Sequence, residues 1–108
     1  MSNLPPHFPE DAYSRVQFAS QAKSEEDLAI LCLDKSIAVR RACASNLCTP
    51  ESALIELSKN KDWLVRFKLV KNPNCPPKAL LNLIDFGDST IIKMAKQHPN
   101  MQHLLAFF

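Results

Sequence analysis

The sequence predicts an all-α protein, an α-solenoid of short helix pairs with a 26-residue repeat. Three observations predict this fold: an internal repeat, helix start and stop signals in the same register of each copy, and apolar residues at helical spacing. A 26-residue shift of the chain places Leu28 on Leu54 and Leu80. Between residues 28–53 and 54–79, eight of 26 positions are identical. A short helix pair cannot bury its apolar face alone, so each copy is expected to pack against the next.

The first helix of each unit has a start signal and an apolar stripe. Ser24 is the predicted N-cap in the first copy, and Thr49, followed by a proline, is the predicted N-cap in the second. A pair of prolines opens the third copy. Apolar residues then follow at i, i+3 and i+4, as on one face of a helix. These patterns predict first helices over residues 25–34, 50–59 and 77–86.

The second helix of each unit is predicted to start at a polar N-cap and to end at a corner. The N-cap position is occupied by Ser36, Asp62 and Asp88. The corner position is occupied by Asn46, Asn72 and His98. In the last two copies a proline follows the corner residue and pushes it out of helical geometry. Asparagine at such a corner can hydrogen-bond neighbouring backbone groups.

We expect a single domain over residues 1–108. Its expected parts, in chain order, are an extended arm (1–9), a degenerate N-terminal cap (10–24), three repeats (25–50, 51–76 and 77–102) and a truncated repeat or lid (103–108). The cap is predicted to be a helix from about Glu10 to Ala22. The 26-residue shift aligns its Tyr13 with Val39.

Composition excludes several classes of protein. The chain contains one glycine, which excludes a glycine-rich phosphate loop. No apolar run approaches the roughly 20 residues that a membrane helix needs. The first residues lack the basic and apolar regions of a signal peptide. We therefore expect a cytoplasmic protein with no membrane partner, whose four cysteines are reduced.

The residues that could carry chemistry are scattered. Cys32, Cys43, Cys48 and Cys75 are too widely spaced for a C-x-x-C metal site, although Cys48 and Cys75 lie in adjacent corners and could approach each other. The three histidines form no recognisable set with a nucleophile or an acid. We therefore expect no catalytic residue, no metal site and no cofactor, and we predict that the protein is not an enzyme.

The motif that links one unit to the next reads D-x-x-VRxxxAxN-x-x-TP-x-x-x-L-x-x-L. In one copy it is carried by Val39, Arg40, Ala44, Asn46, Thr49, Pro50, Leu54 and Leu57. In the next copy it is carried by Asp62, Trp63, Val65, Arg66, Asn72, Pro73, Pro76, Leu80 and Leu83. This pattern, over about residues 25–103, resembles the variant leucine-rich repeat of bacteria, which is similar in style to HEAT and armadillo solenoids.

The resemblance implies a right-handed superhelix in which an α-helix, here the second of each unit, pairs with a helix that is often 3₁₀. It also implies a binding scaffold with no common chemistry. The period of 26 is slightly longer than usual for the family, and the third copy has Ile92 and His98 in place of arginine and asparagine. The iron–sulfur segment of one family form has no counterpart, because residues 1–16 contain no cysteine.

Two features of the second helices predict a partner-binding face. Arg40 and Arg66 occupy equivalent positions in adjacent repeats, and Trp63, Phe67 and Val70 share one stripe at i, i+4 and i+7. The predicted partner-binding residues are Arg40, Trp63, Arg66, Phe67, Val70 and Lys71. The alternatives are that the arginines pair with acids such as Asp62 or bind carbonyl groups within the fold, and that the aromatic residues pack on the arm or the adjacent repeat.

The leading functional hypothesis is a non-enzymatic repeat scaffold that binds a protein or peptide through this face. Met1–Asp34 has a charge balance of −4 and Lys35–Phe108 a balance of +6, so the bases would steer an acidic partner. One alternative is a nucleic-acid-binding module that uses a basic ridge. Another is a homo-oligomer formed through the apolar C-terminus, with contacts from Leu104, Leu105, Phe107 and Phe108.

Overall fold

The chain folds into helices throughout the part that its computed structural model describes, which is residues 4–105, with side chains described for residues 4–102. This part contains eight α-helices and no strand, so the all-α prediction is confirmed. The helices are α1 (Ala12–Gln21), α2 (Glu25–Leu31), α3 (Ile37–Ser45), α4 (Glu51–Leu57), α5 (Trp63–Val70), α6 (Pro77–Phe86), α7 (Ser89–Gln97) and α8 (Pro99–Leu105). None of these helices within residues 4–105 is long and apolar enough to cross a bilayer.

The helices contact one another in two rows. Helices α1, α3, α5 and α7 touch in that order and form what we call the odd row. Helices α2, α4, α6 and α8 also touch in order and form the even row. The rows meet where α2 packs on α3, α4 on α5 and α6 on α7. The molecule measures 48 × 24 × 18 Å, elongated rather than spherical.

The core lies between the two rows. Leucines in equivalent positions of the repeat are buried together in the even row, at Leu28, Leu54 and Leu80. The matching positions of the odd row, Val39, Val65 and Ile91, are also fully buried in the same cluster. At these two positions, residues related by the repeat therefore have the same burial, as the apolar periodicity predicts.

Most predicted helix starts are confirmed, with one exception. Ser24, Asp62 and Asp88 each cap a helix by accepting a hydrogen bond from a backbone N–H three residues on. Ser36 occupies the N-cap position of α3 without a side-chain cap bond. The prediction for Thr49 was wrong, because Pro50 is the N-cap of α4 and the Thr49 hydroxyl donates to the Cys43 carbonyl at 2.7 Å.

The first helices of the first two repeats end earlier than predicted, at Leu31 and Leu57. After each of them an Asx residue forms a tight turn: Asp34 accepts from the N–H of Ser36, and Asn60 accepts from the N–H of Asp62, both at 2.9 Å. The equivalent position in the third repeat is a phenylalanine, which cannot form this turn. Helix α6 accordingly runs its full predicted length and is followed directly by Gly87.

The corner residues connect each unit to the one before it. The Asn46 amide donates to the carbonyls of Ala19 and Ala22, and its oxygen accepts from the N–H of Cys48. The same amide group in Asn72 donates to Ala44 and Asn46. His98 replaces asparagine by donating from Nε2 to the Asn72 carbonyl. These buried side chains form a ladder along one edge of the molecule, as the corner asparagines predicted.

The N-terminal cap differs from the prediction in its register. Tyr13 is 74% exposed, whereas Val39, with which the repeat aligned it, is fully buried. The buried residues of α1 are Arg15 and Ala19, which take the places that Val39 and Cys43 occupy in α3. The alignment was therefore wrong by two positions, because the buried position that a valine occupies in the repeat holds an arginine in the cap.

The arm is not extended, at least over residues 4–9. It forms a turn in which the N–H of Phe8 donates to the Pro5 carbonyl at 3.1 Å. Phe8 is buried and packs edge-to-face on Phe18, with ring centroids 5.3 Å apart. The apolar ring explains the correction, because burying Phe8 in the core requires the arm to fold back onto α1.

Candidate binding surface

The most exposed aromatic cluster of the odd row is a stack on α5. Trp63 is 41% exposed, and its ring lies 4.8 Å from that of Phe67 at an interplanar angle of 15°. The Lys71 ammonium lies 5.3 Å from the centroid of the Phe67 ring, within range of a cation–π interaction. Three of the predicted partner-binding residues therefore form one surface, which we call the α5 stack (Trp63, Phe67 and Lys71).

Val70 does not belong to this surface. It is 3% exposed and lies in the core cluster. An α-helix turns by about 100° per residue, so Phe67 and Lys71 lie about 40° and 80° from Trp63 in one direction and Val70 about 20° from it in the other. Its prediction as a partner-binding residue was wrong, because the spacing i, i+7 places it beside Trp63 but the core of the protein covers it.

The two repeat arginines are directed towards the ends of α2 and α4. Arg66 Nη1 donates to the Asn60 carbonyl at 2.9 Å, so this guanidinium binds the chain just after α4. Arg40 lines a depression of about 290 Å³ formed mainly by the ends of α2 and α4. The Nε atoms of both arginines are buried and have no hydrogen-bond partner among the residues that the structure describes. The carbonyl-binding alternative therefore describes Arg66, and the two arginines do not extend the aromatic surface.

A different arginine pairs with Asp62. Arg41 donates through Nε and Nη2 to the two carboxylate oxygens of Asp62, both at 2.9 Å. Asp62 also caps α5 by accepting from the N–H of Val65. The Arg41 guanidinium is the main cause that lowers the pKa of Asp62 to about 2. The pair joins α3 to α5 and was not predicted, because Arg41 does not occupy the repeated arginine position of Arg40 and Arg66.

The indole of Trp63 makes an analogous connection to the next helix. Its Nε1 donates to the carboxylate of Asp88, which also accepts from the N–H of Ile91 at the start of α7. The Ile91 N–H and the Trp63 indole both lower the pKa of Asp88. The hydrogen bond orients the indole, so the exposed part of its ring is presented in a defined position beside Phe67.

Charge is segregated between the two rows of helices. The helices of the odd row contain seven bases and no acid: Arg15, Arg40, Arg41, Arg66, Lys68, Lys93 and Lys96. Helices α2, α4 and α6 of the even row contain six acids and one base. The charges are therefore unevenly distributed between the two rows of helices as well as along the chain.

Beside the α5 stack the odd row is indented above α3. One depression of about 330 Å³ is lined by Val16, Ser20, Ala38, Arg41, Ala42, Ser45, Asn46 and Lys68. A second of about 200 Å³ is lined by Ser45, Leu64, Phe67, Lys68, Lys71, Asn72 and Pro73. Small side chains on α3 leave this space between the larger ones of α1 and α5. We call the two depressions together the α3 trough.

The cysteines of this chain form no disulfide, and three of the four are buried. Cys48 and Cys75 are both free thiols, as are Cys32 and Cys43. Burial raises the pKa of Cys75 to about 12, and a hydrogen bond with Cys32 together with burial raises the pKa of Cys43. Across the described residues no group of three His, Cys, Asp or Glu side chains could hold a metal ion.

The proposed oligomer contacts lie outside the described side chains. Leu104 and Leu105 are described only as part of the backbone of α8, and Phe107 and Phe108 fall beyond residue 105.

No protein-family model, curated protein or solved structure matches the chain.

Proposed function

We propose that the protein is an α-solenoid of repeats that acts as a non-enzymatic scaffold and binds a protein or peptide through the odd row. The observation that carries this proposal is the α5 stack, in which an exposed and oriented tryptophan lies on a half-buried phenylalanine beside Lys71. Tryptophan is enriched among the residues that dominate binding energy at interfaces. The resemblance to variant leucine-rich repeats supports the same class of function, since it implies a binding scaffold.

The contacts of Trp63 explain why this residue would anchor a partner. Its hydrogen bond to Asp88 and its stacking on Phe67 restrict its side chain before a partner arrives. Binding then requires little further loss of side-chain freedom, which otherwise costs about 0.5–1.5 kcal/mol per immobilised side chain. The acid-free helices around it would attract an acidic partner and increase its rate of association.

Affinity capture with a Trp63→Ala variant tests this proposal. Wild-type protein and a Phe86→Ala control, which removes an exposed aromatic ring from α6 in the other row, should recover the same partner from a native extract. The Trp63→Ala variant should lose it, with an unchanged helical circular dichroism spectrum. Recovery of the same partner by all three proteins would reject Trp63 as the anchor of binding.

Nucleic-acid binding is the second candidate, and the charge segregation favours it. Six of the seven bases on these helices are at least partly exposed, Arg15 being buried, and they could follow a phosphate backbone while the exposed tryptophan stacks on a base. Salt dependence separates the two candidates. Binding through phosphates weakens steeply with salt, because bound counterions are released, whereas an interface centred on Trp63 should weaken much less.

Self-association through Leu104, Leu105, Phe107 and Phe108 is the remaining hypothesis. Sedimentation velocity at several concentrations, with and without residues 104–108, tests it. A concentration-dependent dimer that is lost on truncation would support it. A monomer at every concentration would exclude it.

A further inference from the structure

We infer that the α3 trough binds an acidic peptide segment in which apolar side chains flank a carboxylate. This inference rests on the proposed binding function and names the chemistry of the partner. The apolar side chains would fill the two depressions, and the carboxylate would meet Lys68, which lines both of them.

The shape of the trough fits side chains rather than a flat surface. Ala38, Ala42 and Ser45 lie on one face of α3 at i, i+4 and i+7, and their small size leaves the space above the helix open. The two depressions, of about 330 and 200 Å³, meet at Ser45 and Lys68. Leu64 and Phe67 form the apolar side of the smaller depression. Two apolar side chains of a peptide can therefore enter on either side of Lys68.

The charge of the trough selects an acidic occupant. Neither depression is lined by an acidic residue within the described part of the chain. The charge of Arg41 is already compensated by Asp62, whereas Lys68 forms no ion pair with any described residue. Lys71 lies on the Phe67 ring at the end of the trough and adds a second uncompensated charge. A carboxylate at the centre would thus meet cations without displacing an existing ion pair.

A peptide accounts for these features better than a nucleic acid does. The wall residues Val16, Leu64 and Phe67 and the alanines of α3 need apolar groups to cover them, and a phosphate backbone has none. Among the described residues, the floor also lacks a ring on which a base could stack, since the aromatic residues stand at one side on α5. Binding of a nucleic acid in preference to a peptide would therefore contradict the inference.

The test is selection of a random-peptide phage library on the immobilised full-length protein. Enriched peptides would be synthesised with a fluorescent label, and their affinity measured by polarisation. Each would be measured against wild type, Lys68→Glu, Ala42→Phe and Lys93→Glu. The Lys93→Glu variant makes the same charge change on the same row outside the trough. A short single-stranded DNA, measured at low and high salt, serves as the nucleic-acid probe.

We expect the enriched peptides to contain Asp or Glu flanked by apolar residues. Lys68→Glu and Ala42→Phe should each weaken their binding by about tenfold or more, because they reverse the central charge or fill the larger depression. Lys93→Glu should change it less than about threefold, as is typical of a charge outside the contact. No enrichment, a neutral or basic consensus, equal binding to Lys68→Glu, or salt-sensitive binding of DNA in preference to the peptides would each overturn the inference.

The capture experiment separates failure of this inference from failure of the proposed function. If Trp63→Ala loses the native partner while Lys68→Glu and Ala42→Phe retain it, the odd row binds a partner elsewhere than in the trough. If Trp63→Ala also retains the partner, the proposed function itself fails.

Discussion

Buried polar side chains connect the units of this protein to one another. Arg15 is the clearest case, because it is buried in the cap and pairs with Asp34, a residue of the following unit, with Nε 2.9 Å from a carboxylate oxygen. Its Nη1 also donates to the carbonyls of Pro9 and Glu10, which ties the arm to the same site. A single arginine thus joins the arm, α1 and the segment after α2.

Replacing Arg15 by methionine should destabilise the protein by about 3–5 kcal/mol, because it leaves the Asp34 carboxylate buried without its counter-ion. Urea unfolding followed by circular dichroism measures this change. The double variant Arg15→Met/Asp34→Asn should recover much of the loss. Asparagine already occupies the equivalent position 60, where it accepts the same kind of turn hydrogen bond.

If the double variant is no more stable than Arg15→Met alone, the ion pair is not the source of the destabilisation, and the lost carbonyl contacts of the arm are.

Asn72 is the middle one of the three corner residues, between Asn46 and His98. It holds the carbonyls of Ala44 and Asn46 and the N–H of Asn74 while almost completely buried. Asn72→Ala should lower the free energy of unfolding by about 2–4 kcal/mol, because an unsatisfied buried group costs about 1–3 kcal/mol. The exposed Asn74, whose amide binds one carbonyl of the preceding unit, provides the matched control. Equal losses for Asn72→Ala and Asn74→Ala in chemical denaturation would contradict this account.

The histidine at position 98 reproduces two of the bonds of an asparagine. The Asn100 N–H donates to its Nδ1, and its Nε2 donates to the Asn72 carbonyl. The proton therefore resides on Nε2, since Nδ1 is used as the acceptor. Histidine in place of asparagine is thus compatible with the same corner structure, because it keeps these two hydrogen bonds.

The ends of the helices determine how the rows connect. In the third repeat, α6 continues to Phe86, so Gly87 alone separates it from the N-cap of α7. A Cβ atom at Gly87 would lie 2.3 Å from the Leu83 carbonyl oxygen and 3.1 Å from the Ile91 side chain. The glycine is required by this close approach of two helices and not by its backbone angles, which any residue can adopt.

Gly87→Ala should therefore destabilise the protein by about 1–3 kcal/mol, as overpacking does. The entropic gain of about 0.4–1 kcal/mol from removing a glycine is smaller than this loss. Lys61→Ala, at the equivalent position before α5, should change stability by less than about 0.5 kcal/mol. Thermal and urea unfolding of Gly87→Ala and Lys61→Ala would measure both changes in stability. If Gly87→Ala stabilises the protein, α6 can shift to make room for the added methyl group.

The N-cap of α5 makes the contact between α3 and α5 sensitive to acid. Because the pKa of Asp62 is lowered from 3.8 to about 2 in the folded protein, its ionised form is stabilised by folding. This contribution is fully present above about pH 4 and is lost as the pH falls towards 2. Asp62→Asn should therefore reduce stability at pH 5 and flatten its decline between pH 4 and 2.

Urea unfolding across this pH range measures the effect. Asp85→Asn is the matched control, since it removes a carboxylate that is exposed and forms no ion pair with the described residues. A wild-type profile for Asp62→Asn would mean that the pair with Arg41 does not persist in solution.

At the scale of the whole molecule, contacts run between neighbouring helices of each row. Val39 on α3 and Val65 on α5 belong to helices that touch, whereas α3 and α7 share no substantial contact. Substitutions on touching helices should therefore be energetically coupled, and those on α3 and α7 should not be.

Val39→Ala combined with Ile91→Val should change the free energy of unfolding by the sum of the single changes, within about 0.5 kcal/mol. Val39→Ala combined with Val65→Ala should depart from additivity by about 0.5 kcal/mol or more. Double-mutant cycles from urea unfolding provide the measurement. Strong coupling between α3 and α7 would show that the units do not interact only with their neighbours.

Much of the fold could be predicted because the same apolar spacing and the same helix N-cap position recur in each copy of the repeat. Apolar spacing placed Leu28, Leu54 and Leu80 in the core, and the aspartates at positions 62 and 88 cap their helices as predicted. The candidate surface was predicted in part, with Trp63, Phe67 and Lys71 on one face. Val70 was wrongly assigned to this face, because the width of the buried arc on α5 depends on how closely the adjacent helices pack.

The amino-acid sequence alone determined the order of the helices within the repeats, most of their N-caps and the apolar positions that the repeats share, because these follow from interactions between residues close in the chain. Only the tertiary structure decided which charges meet. Arg15 and Asp34, Arg41 and Asp62, and Trp63 and Asp88 are distant in the chain, and their pairing depends on the distance and rotation between packed helices. The same packing left Lys68 without an acidic partner among the described residues and opened the trough beside it.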